Sequence, residues 1–134
     1  KLTNYKNSMI MKPELFVSYA LEDKADFDTF LAQARKDNAP FDLQYFEEKD
    51  ATSELWRNEC RDRVNRCVGT LVLITKSLKA SEGGFWEAKC AKESGKPVLC
   101  IFAGDAGIID KPLDLRSITT MVLDWERLKV FFGQ

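Results

Sequence analysis

The apolar and polar positions of this chain follow two periods, which predict short strands separated by helices. Runs that carry no polar side chain, as from Val98 to Ala103, are typical of strands buried on both faces of a sheet. The run from Phe41 to Phe46 alternates and predicts an edge strand with one wet face. Five segments are predicted as strands: residues 14–18, 41–46, 70–74, 98–103 and 118–123.

Amphipathic segments between these strands predict the helices. We expect Asp23 to cap the first helix, Thr52 or Ser53 to cap the second, and Gly95 to end the third. A closing helix is predicted over residues 125–132. Strands that alternate with helices predict an α/β domain of three layers, with a parallel sheet covered on both faces. Right-handed crossovers favour a five-stranded sheet of order 2-1-3-4-5.

The third predicted helix contains a carboxylate that breaks its own pattern. At ~100° per residue, Lys89 and Lys92 share a solvent arc with Phe85 between them. Glu87 lies on the opposite side, among the apolar residues Trp86, Ala88, Cys90 and Ala91. We expect Glu87 in the first turn, where free N–H groups and the helix dipole favour an anion. Such a break indicates a functional site, although it also suits a helix-start acid that reaches water past small neighbours.

The predicted topology directs attention to the same residue. In a sheet of this order, ligands bind at the carboxyl ends of the first and third strands, where the direction of winding changes. Those ends are Ser18-Tyr19 and residues 75–77, which include Ser77. Because Glu87 opens the helix after the third strand, we expect it at the rim of this crevice.

The length of 134 residues predicts one domain over residues 1–134, with residues 1–12 as a loose lead-in. A start at Lys1 is compatible with a longer native chain. The net charge of −1, with both signs mixed, predicts no nucleic-acid partner. Arginines are frequent over residues 57–66, but acids between them indicate a solvated face. No apolar run is long enough to span a bilayer, so we expect no membrane partner.

Four cysteines and no histidine leave little to build a metal site. None of the cysteines forms a C-x-x-C pair. We therefore expect no metal and no disulfide, and interpret the cysteines as small core residues of a cytoplasmic protein. The four residues are Cys60, Cys67, Cys90 and Cys100.

Several activities found on similar sheets lack their residues here. The loop from Tyr19 to Asp23 is too acidic, and has no glycine, to hold a flavin phosphate, and the third strand ends at Ile74-Thr75 without a phosphoacceptor carboxylate. No dinucleotide or P-loop motif is present, and a histidine-assisted triad is impossible. A single carboxylate can still act on the N-glycosidic bond of NAD, because nicotinamide leaves as a neutral molecule. We therefore expect no cofactor, with NAD as the substrate.

Three segments in order resemble a TIR-like domain, in particular the bacterial branch that includes the TIR subunits of Thoeris antiphage systems. They are Leu15-Phe-Val-Ser-Tyr19, the apolar strand from Leu71 to Ile74, and Trp86-Glu87 followed by Gly95-Lys-Pro-Val-Leu-Cys-Ile101. The resemblance covers residues 14–103. It implies a flavodoxin-like fold and, in many members, cleavage of NAD to nicotinamide and ADP-ribose or a cyclic isomer that acts as a signal.

The resemblance also implies roles for particular residues. Glu87 takes the position of the catalytic glutamate, and the loop over residues 47–51 covers the pocket and assists assembly. The residues expected to bind substrate are Ser18, Tyr19, Phe46, Ser77, Phe85 and Trp86. Many members have an aromatic four residues before the glutamate, whereas this chain has Gly83 there. Gly83 and Gly84 are therefore expected to form a mobile segment.

The function predicted from these features is that of a cytoplasmic NAD glycohydrolase or ADP-ribosyl cyclase in bacterial antiphage immunity. Its expected partners are NAD, further copies of the domain, and an effector that responds to the product. We expect little activity before assembly, and we expect Glu87→Gln to remove NAD turnover without disturbing the fold. Two alternatives stay open: a non-catalytic interaction module, and a nucleotide sensor that binds without cleaving.

Overall fold

A computed structural model describes residues 12–133. Its four strands are β1 (Glu14–Ser18), β2 (Asp42–Gln44), β3 (Gly69–Ile74) and β4 (Val98–Phe102). Its four helices are α1 (Lys24–Lys36), α2 (Glu54–Arg66), α3 (Glu82–Glu93) and α4 (Trp125–Phe131). Short 3-10 turns occur at Leu21–Asp23, Leu78–Ala80, Ile108–Asp110 and Leu113–Leu115.

The strands form one parallel sheet of order β2-β1-β3-β4. This confirms the α/β class, the parallel sheet and the position of the second strand at an edge. The order is that of a flavodoxin-like fold with four strands in place of five. The residues before Lys12, which contain most of the predicted lead-in, lie outside the described residues. Lys12 itself is fixed, because its Nζ donates to Asn38 Oδ1 at 3.0 Å and to the Ala39 carbonyl at 2.8 Å.

The predicted fifth strand over residues 118–123 is wrong. This segment meets β4 at one isolated bridge, between Cys100 and Thr120. Cys100 N–H donates to the Thr119 carbonyl at 2.9 Å, and the Met121 N–H donates to the Cys100 carbonyl at 3.0 Å. The chain then turns outward, since Val122 is 86% exposed, and Asp124 caps α4 at once. The segment lies beside β4 for too few residues to form more than one bridge. Part of its apolar side-chain surface is therefore exposed to water.

The sheet has an apolar core on each face, as the uninterrupted apolar strands predict. On one face Phe16, Val72 and Cys100 pack with residues of α2 and α3. On the other face Leu71 and Leu99 pack with residues of α1 and α4. The successive side chains of a strand point to opposite faces, so β1, β3 and β4 serve both cores at once. The three-layer arrangement is confirmed.

The helix ends confirm two of the sequence-based interpretations and correct one. Ser53 caps α2 as one of the two predicted candidates, because its hydroxyl accepts from the Trp56 N–H. Asp23, in contrast, makes no side-chain cap to α1. Gly95 has φ +80 and follows the end of α3, as expected of a glycine that stops a helix.

The start of α3 lies earlier than the sequence predicts. Ser81 is its cap, accepting from the Gly84 N–H at 3.3 Å, and the helix begins at Glu82. Gly83 and Gly84 are therefore helical, and the expected mobile segment before the helix is wrong. Glu87 consequently lies in the second turn, beyond the free N–H groups that a first-turn carboxylate would meet.

Candidate functional site

The carboxyl ends of β1 and β3 meet at one edge of the sheet, and a carboxylate joins the loops that leave them. Asp23 Oδ2 accepts from the Ser77 N–H at 2.8 Å, and Asp23 Oδ1 accepts from the Ser77 hydroxyl at 2.9 Å. Burial would raise the pKa of Asp23, but its hydrogen bonds with Ser77 favour the ionised carboxylate, and the pKa of Asp23 is lowered. Asp23 thus fixes this edge of the crevice instead of capping α1.

The end of β1 also holds α3 close to the sheet. The Ser18 hydroxyl donates to the Gly84 carbonyl at 3.1 Å, and both residues are buried. A Cβ atom on Gly84 would lie 2.8 Å from the Tyr19 carbonyl oxygen and 3.1 Å from Ala20 Cα. Only glycine allows this backbone approach. One turn of helix later, the same packing directs Glu87 toward the sheet.

Glu87 is fully buried and forms an ion pair with Lys49. Lys49 Nζ lies 2.6 Å from Glu87 Oε1, and the two side chains are 1% and 0% exposed. The same ammonium donates to the Tyr19 carbonyl and lies 3.6 Å from the centroid of the Tyr19 ring. The inward direction predicted for Glu87 is therefore observed, whereas the helix-start acid that reaches water is not.

Lys49 belongs to this site, although the sequence does not indicate it. Lys49 is the one cation in the acidic loop Glu47-Glu-Lys-Asp50, and a loop without periodicity gives no signal for the direction of a side chain. Gly83 is the one indirect hint, because a Cβ atom there would lie 2.6 Å from Lys49 Cβ. Glycine at position 83 thus leaves room for the stem of the Lys49 side chain.

Burial shifts the proton equilibria of this pair. It raises the pKa of Glu87 to about 7, and Lys49, the Tyr19 backbone amide and Ser18 act in the opposite direction. Burial also lowers the pKa of Lys49, against the attraction of Glu87. Glu87 Oε2 accepts no hydrogen bond from the residues described. A carboxylate with one free buried oxygen and a raised pKa can exchange a proton near neutral pH.

Tyr19 is buried between α1 and the segment that follows β2. Its ring stacks on Phe27 with centroids 3.6 Å apart and is 1% exposed, and its hydroxyl donates to the Phe46 carbonyl at 2.6 Å. Burial, followed by the charge of Glu87, raises the pKa of the Tyr19 hydroxyl. Phe46 is buried against Phe16 and Trp56. Both rings serve as packing surfaces for the loop that bears Lys49.

The remaining residues expected to bind substrate occupy separate places. Ser77 is half-buried and bonded to Asp23, as described above. Phe85 is half-buried near Lys89, whose Nζ lies 5.8 Å from the ring centroid. Trp86 packs on Trp56 and lies under the Arg61 guanidinium, on a groove between α2 and α3. The structure thus brings Ser18, Tyr19 and Glu87 together under Lys49, but it does not bring Trp86 into that group.

A cavity of about 350 Å³ lies over this group of residues. Lys49 lines the cavity, whereas Glu87, its fully buried partner, does not. Leu21, Glu22 and residues 80–83 form the rest of the wall. A group of three His, Cys, Asp or Glu side chains able to hold a metal ion is not found between residues 12 and 133. Over the same range, no helix is both long enough and apolar enough to cross a bilayer.

Comparison of the chain with models of known protein families gives no match, and comparison with curated proteins gives none either.

Proposed function

We propose that this domain cleaves the N-glycosidic bond between nicotinamide and ribose in NAD, with Glu87 as the catalytic residue. The observation that carries the proposal is the buried carboxylate at the edge of the sheet where β1 and β3 end, with its pKa raised to about 7. A carboxylate is uncommon in such a position unless it is paired or has a function. The resemblance to TIR-like domains gives the reaction, and the products are nicotinamide with ADP-ribose or a cyclic isomer.

The proposed reaction needs only one acidic side chain from the protein. Nicotinamide leaves as a neutral molecule, and positive charge develops on the ribose as the bond breaks. An ionised Glu87 stabilises that charge or binds the ribose hydroxyls, and the low dielectric of the site strengthens the interaction. Ser18 acts as a positioning residue, because its hydrogen bond to the Gly84 carbonyl fixes the helix that bears Glu87.

Lys49 holds the proposed site closed. It neutralises Glu87 and occupies the space between the carboxylate and the cavity above it. NAD reaches Glu87 only after the loop over residues 47–51 moves. The arrangement therefore represents a resting state, and assembly with further copies of the domain supplies the energy to open it. An effector that responds to the product, in bacterial antiphage defence in the cytoplasm, completes the proposed role.

The experiment compares variants that differ at Glu87 alone. Glu87→Gln by itself leaves Lys49 buried without a counterion, so loss of activity could reflect loss of the fold. Lys49→Met and Lys49→Met/Glu87→Gln form a matched pair in which that charge is absent. Each is incubated with NAD at high protein concentration, with and without lysate of phage-infected cells, and the products are identified by mass spectrometry. We expect nicotinamide from Lys49→Met and none from the double variant.

A non-catalytic role has a specific observation in its favour. The Lys49–Glu87 pair is complete within one domain and is closed to solvent, as expected of a clamp between the loop after β2 and α3. In an interaction module this clamp would shape the loop for contact with a partner. A folded Lys49→Met variant that releases no nicotinamide at any pH or concentration would favour this role. Equilibrium binding of NAD without products would favour the nucleotide sensor.

A further inference from the structure

Helices α2 and α3 run side by side in a constant register. Trp56 and Trp86 are in contact, with ring centroids 5.5 Å apart. One turn further along each helix, Cys60 and Cys90 follow in the same register, and Cys90 packs against the core that contains Cys60. Each pair is separated by 30 positions in the sequence. The register therefore places two cysteines from different helices opposite each other, independently of any property of the thiols.

The two thiols of this pair differ in access and in proton affinity. Cys60 is fully buried in the core on that face of the sheet, whereas Cys90 is half-buried and lines a groove of about 470 Å³. The interaction between the two thiols raises the pKa of Cys60 and lowers that of Cys90. Arg61, which lines the same groove, lowers the pKa of Cys90 further, and Glu93 opposes it. Cys90 is thus the thiol that ionises and meets solvent.

We propose that Cys60 and Cys90 are a modification site for hydroperoxides, in which Cys90 reacts first and a disulfide then joins α2 to α3. Glu87 lies one turn before Cys90 on α3, so the bond would form beside the site described above. The proposal rests on the facing register of the two cysteines, on their shared core and on the open groove, and it holds whether or not the domain cleaves NAD.

The reaction balances with the peroxide as the only oxidant. The Cys90 thiolate attacks one peroxide oxygen, an S–O bond forms, the O–O bond breaks, and hydroxide or alkoxide leaves with a proton from water. Sulfur is oxidised to sulfenic acid as the peroxide is reduced. The Cys60 sulfur then attacks Cys90 and loses its proton, an S–S bond forms, and the S–O bond breaks with release of water. For this bond the two sulfur atoms must approach to ~2.05 Å.

The other two cysteines are internal controls. Cys67 and Cys100 are buried, and burial raises the pKa of each to about 11. Both are free thiols. They should remain reduced while the pair on α2 and α3 is oxidised.

The test is a thiol map of the reduced, folded protein after treatment with hydrogen peroxide. Free thiols are alkylated, the protein is digested with trypsin without reduction, and the peptides are identified by mass spectrometry. We expect peptide 58–61, which contains Cys60, linked to peptide 90–92, which contains Cys90. The linked mass should be lower by two hydrogens than the sum of the peptides, and reduction should separate them. Peptides with Cys67 and Cys100 should be alkylated.

Two variants assign the order of reaction. Cys90→Ser should slow loss of the first thiol by at least about tenfold, whereas Cys67→Ala should leave the rate unchanged. Cys60→Ala should stop the reaction at a Cys90 sulfenic acid that dimedone traps. Oxidation of all four thiols at one rate in the folded wild type, or absence of the linked peptide after complete loss of the Cys90 thiol, would overturn the proposal. The thiol map of the wild-type protein tests formation of the disulfide even if a variant fails to fold.

Discussion

Glu87 and Lys49 stabilise each other within a space closed to water, and removal of one partner has a different effect from removal of both. Glu87→Gln leaves an ammonium buried without a counterion, which costs about 3–5 kcal/mol in comparable pairs. We expect this loss in the free energy of unfolding, measured by urea denaturation at pH 7. Lys49→Met/Glu87→Gln should restore stability to the wild-type value or above it. Equal stability of Glu87→Gln and wild type would show that the pair is not buried.

The pH dependence of stability isolates the Glu87 carboxyl. In Lys49→Met only Glu87 titrates in this pair, and burial raises its pKa from 4.5 to about 7 or higher, since Lys49 no longer opposes the shift. A raised carboxyl pKa means that the folded state holds the proton more tightly than the unfolded state. The contribution of Glu87 is therefore full below pH 4.5 and is lost as the pH rises through 7.

The corresponding measurement compares Lys49→Met with Lys49→Met/Glu87→Gln by chemical denaturation between pH 4 and 9. We expect the single variant to lose stability relative to the double variant as the pH rises through this range. A constant difference between the two variants would contradict a raised pKa. The double variant controls for every other titrating group, because it differs only at residue 87.

The sequence reveals one half of this pair and conceals the other. Helical periodicity gives the direction of Glu87, because each residue advances by a fixed angle and the neighbours of Glu87 are apolar. Lys49 belongs to an irregular loop, where no period relates the position in the sequence to direction. Sequence reasoning therefore predicts that Glu87→Gln is structurally harmless, whereas the structure predicts that it destabilises the fold.

At the scale of the element, α3 depends on a glycine for its distance from β1. A helical Gly→Ala substitution is normally stabilising, by about 1 kcal/mol. At position 84 the new Cβ atom would meet the Tyr19 backbone at 2.8 Å, where no side chain can move aside. We expect Gly84→Ala to cost about 1–3 kcal/mol and to disturb the Ser18 hydrogen bond.

Gly107→Ala is the matched control for this prediction. Nothing lies within 4 Å of a Cβ atom at position 107, and its backbone is extended. Thermal or urea unfolding of both variants should show a loss for Gly84→Ala and little change for Gly107→Ala. A Gly84→Ala variant as stable as Gly107→Ala would mean that α3 can move away from β1 at no cost.

The same glycine shows why element boundaries are hard to predict. Gly83 and Gly84 suggest conformational freedom from sequence, but in the fold they serve close approach, within a helix capped by Ser81. A glycine that provides conformational freedom and a glycine that allows close packing look the same in a sequence, and only the residues around it in the fold distinguish the two roles. The fifth predicted strand fails for a related reason. An apolar run predicts burial, but only partners across the sheet make it a strand, and Thr120 finds one such partner.

At the scale of the whole molecule, the order of the first four strands follows from the sequence, and with it the meeting of the carboxyl ends of β1 and β3. Three apolar strands and the alternating helices fix a parallel sheet with two covered faces, and the ends of β1 and β3 follow from its winding. The sequence does not indicate whether the crevice is open or closed. A lysine from the loop after β2 closes it, and that contact spans 38 positions of the chain.

A closed resting state predicts that NAD cleavage depends on protein concentration. In the isolated domain, Lys49 must leave Glu87, the Tyr19 carbonyl and the Tyr19 ring before substrate enters, and the displaced loop loses ordered contacts. A second copy packed on that loop would offset this cost. The specific activity of wild type should therefore rise steeply over a thousand-fold range of concentration, about three decades. The specific activity of Lys49→Met should depend less on protein concentration, because the Glu87 carboxyl is no longer paired with Lys49. Constant activity of wild type across the range, equal to that of Lys49→Met, would mean that Lys49 does not close the site.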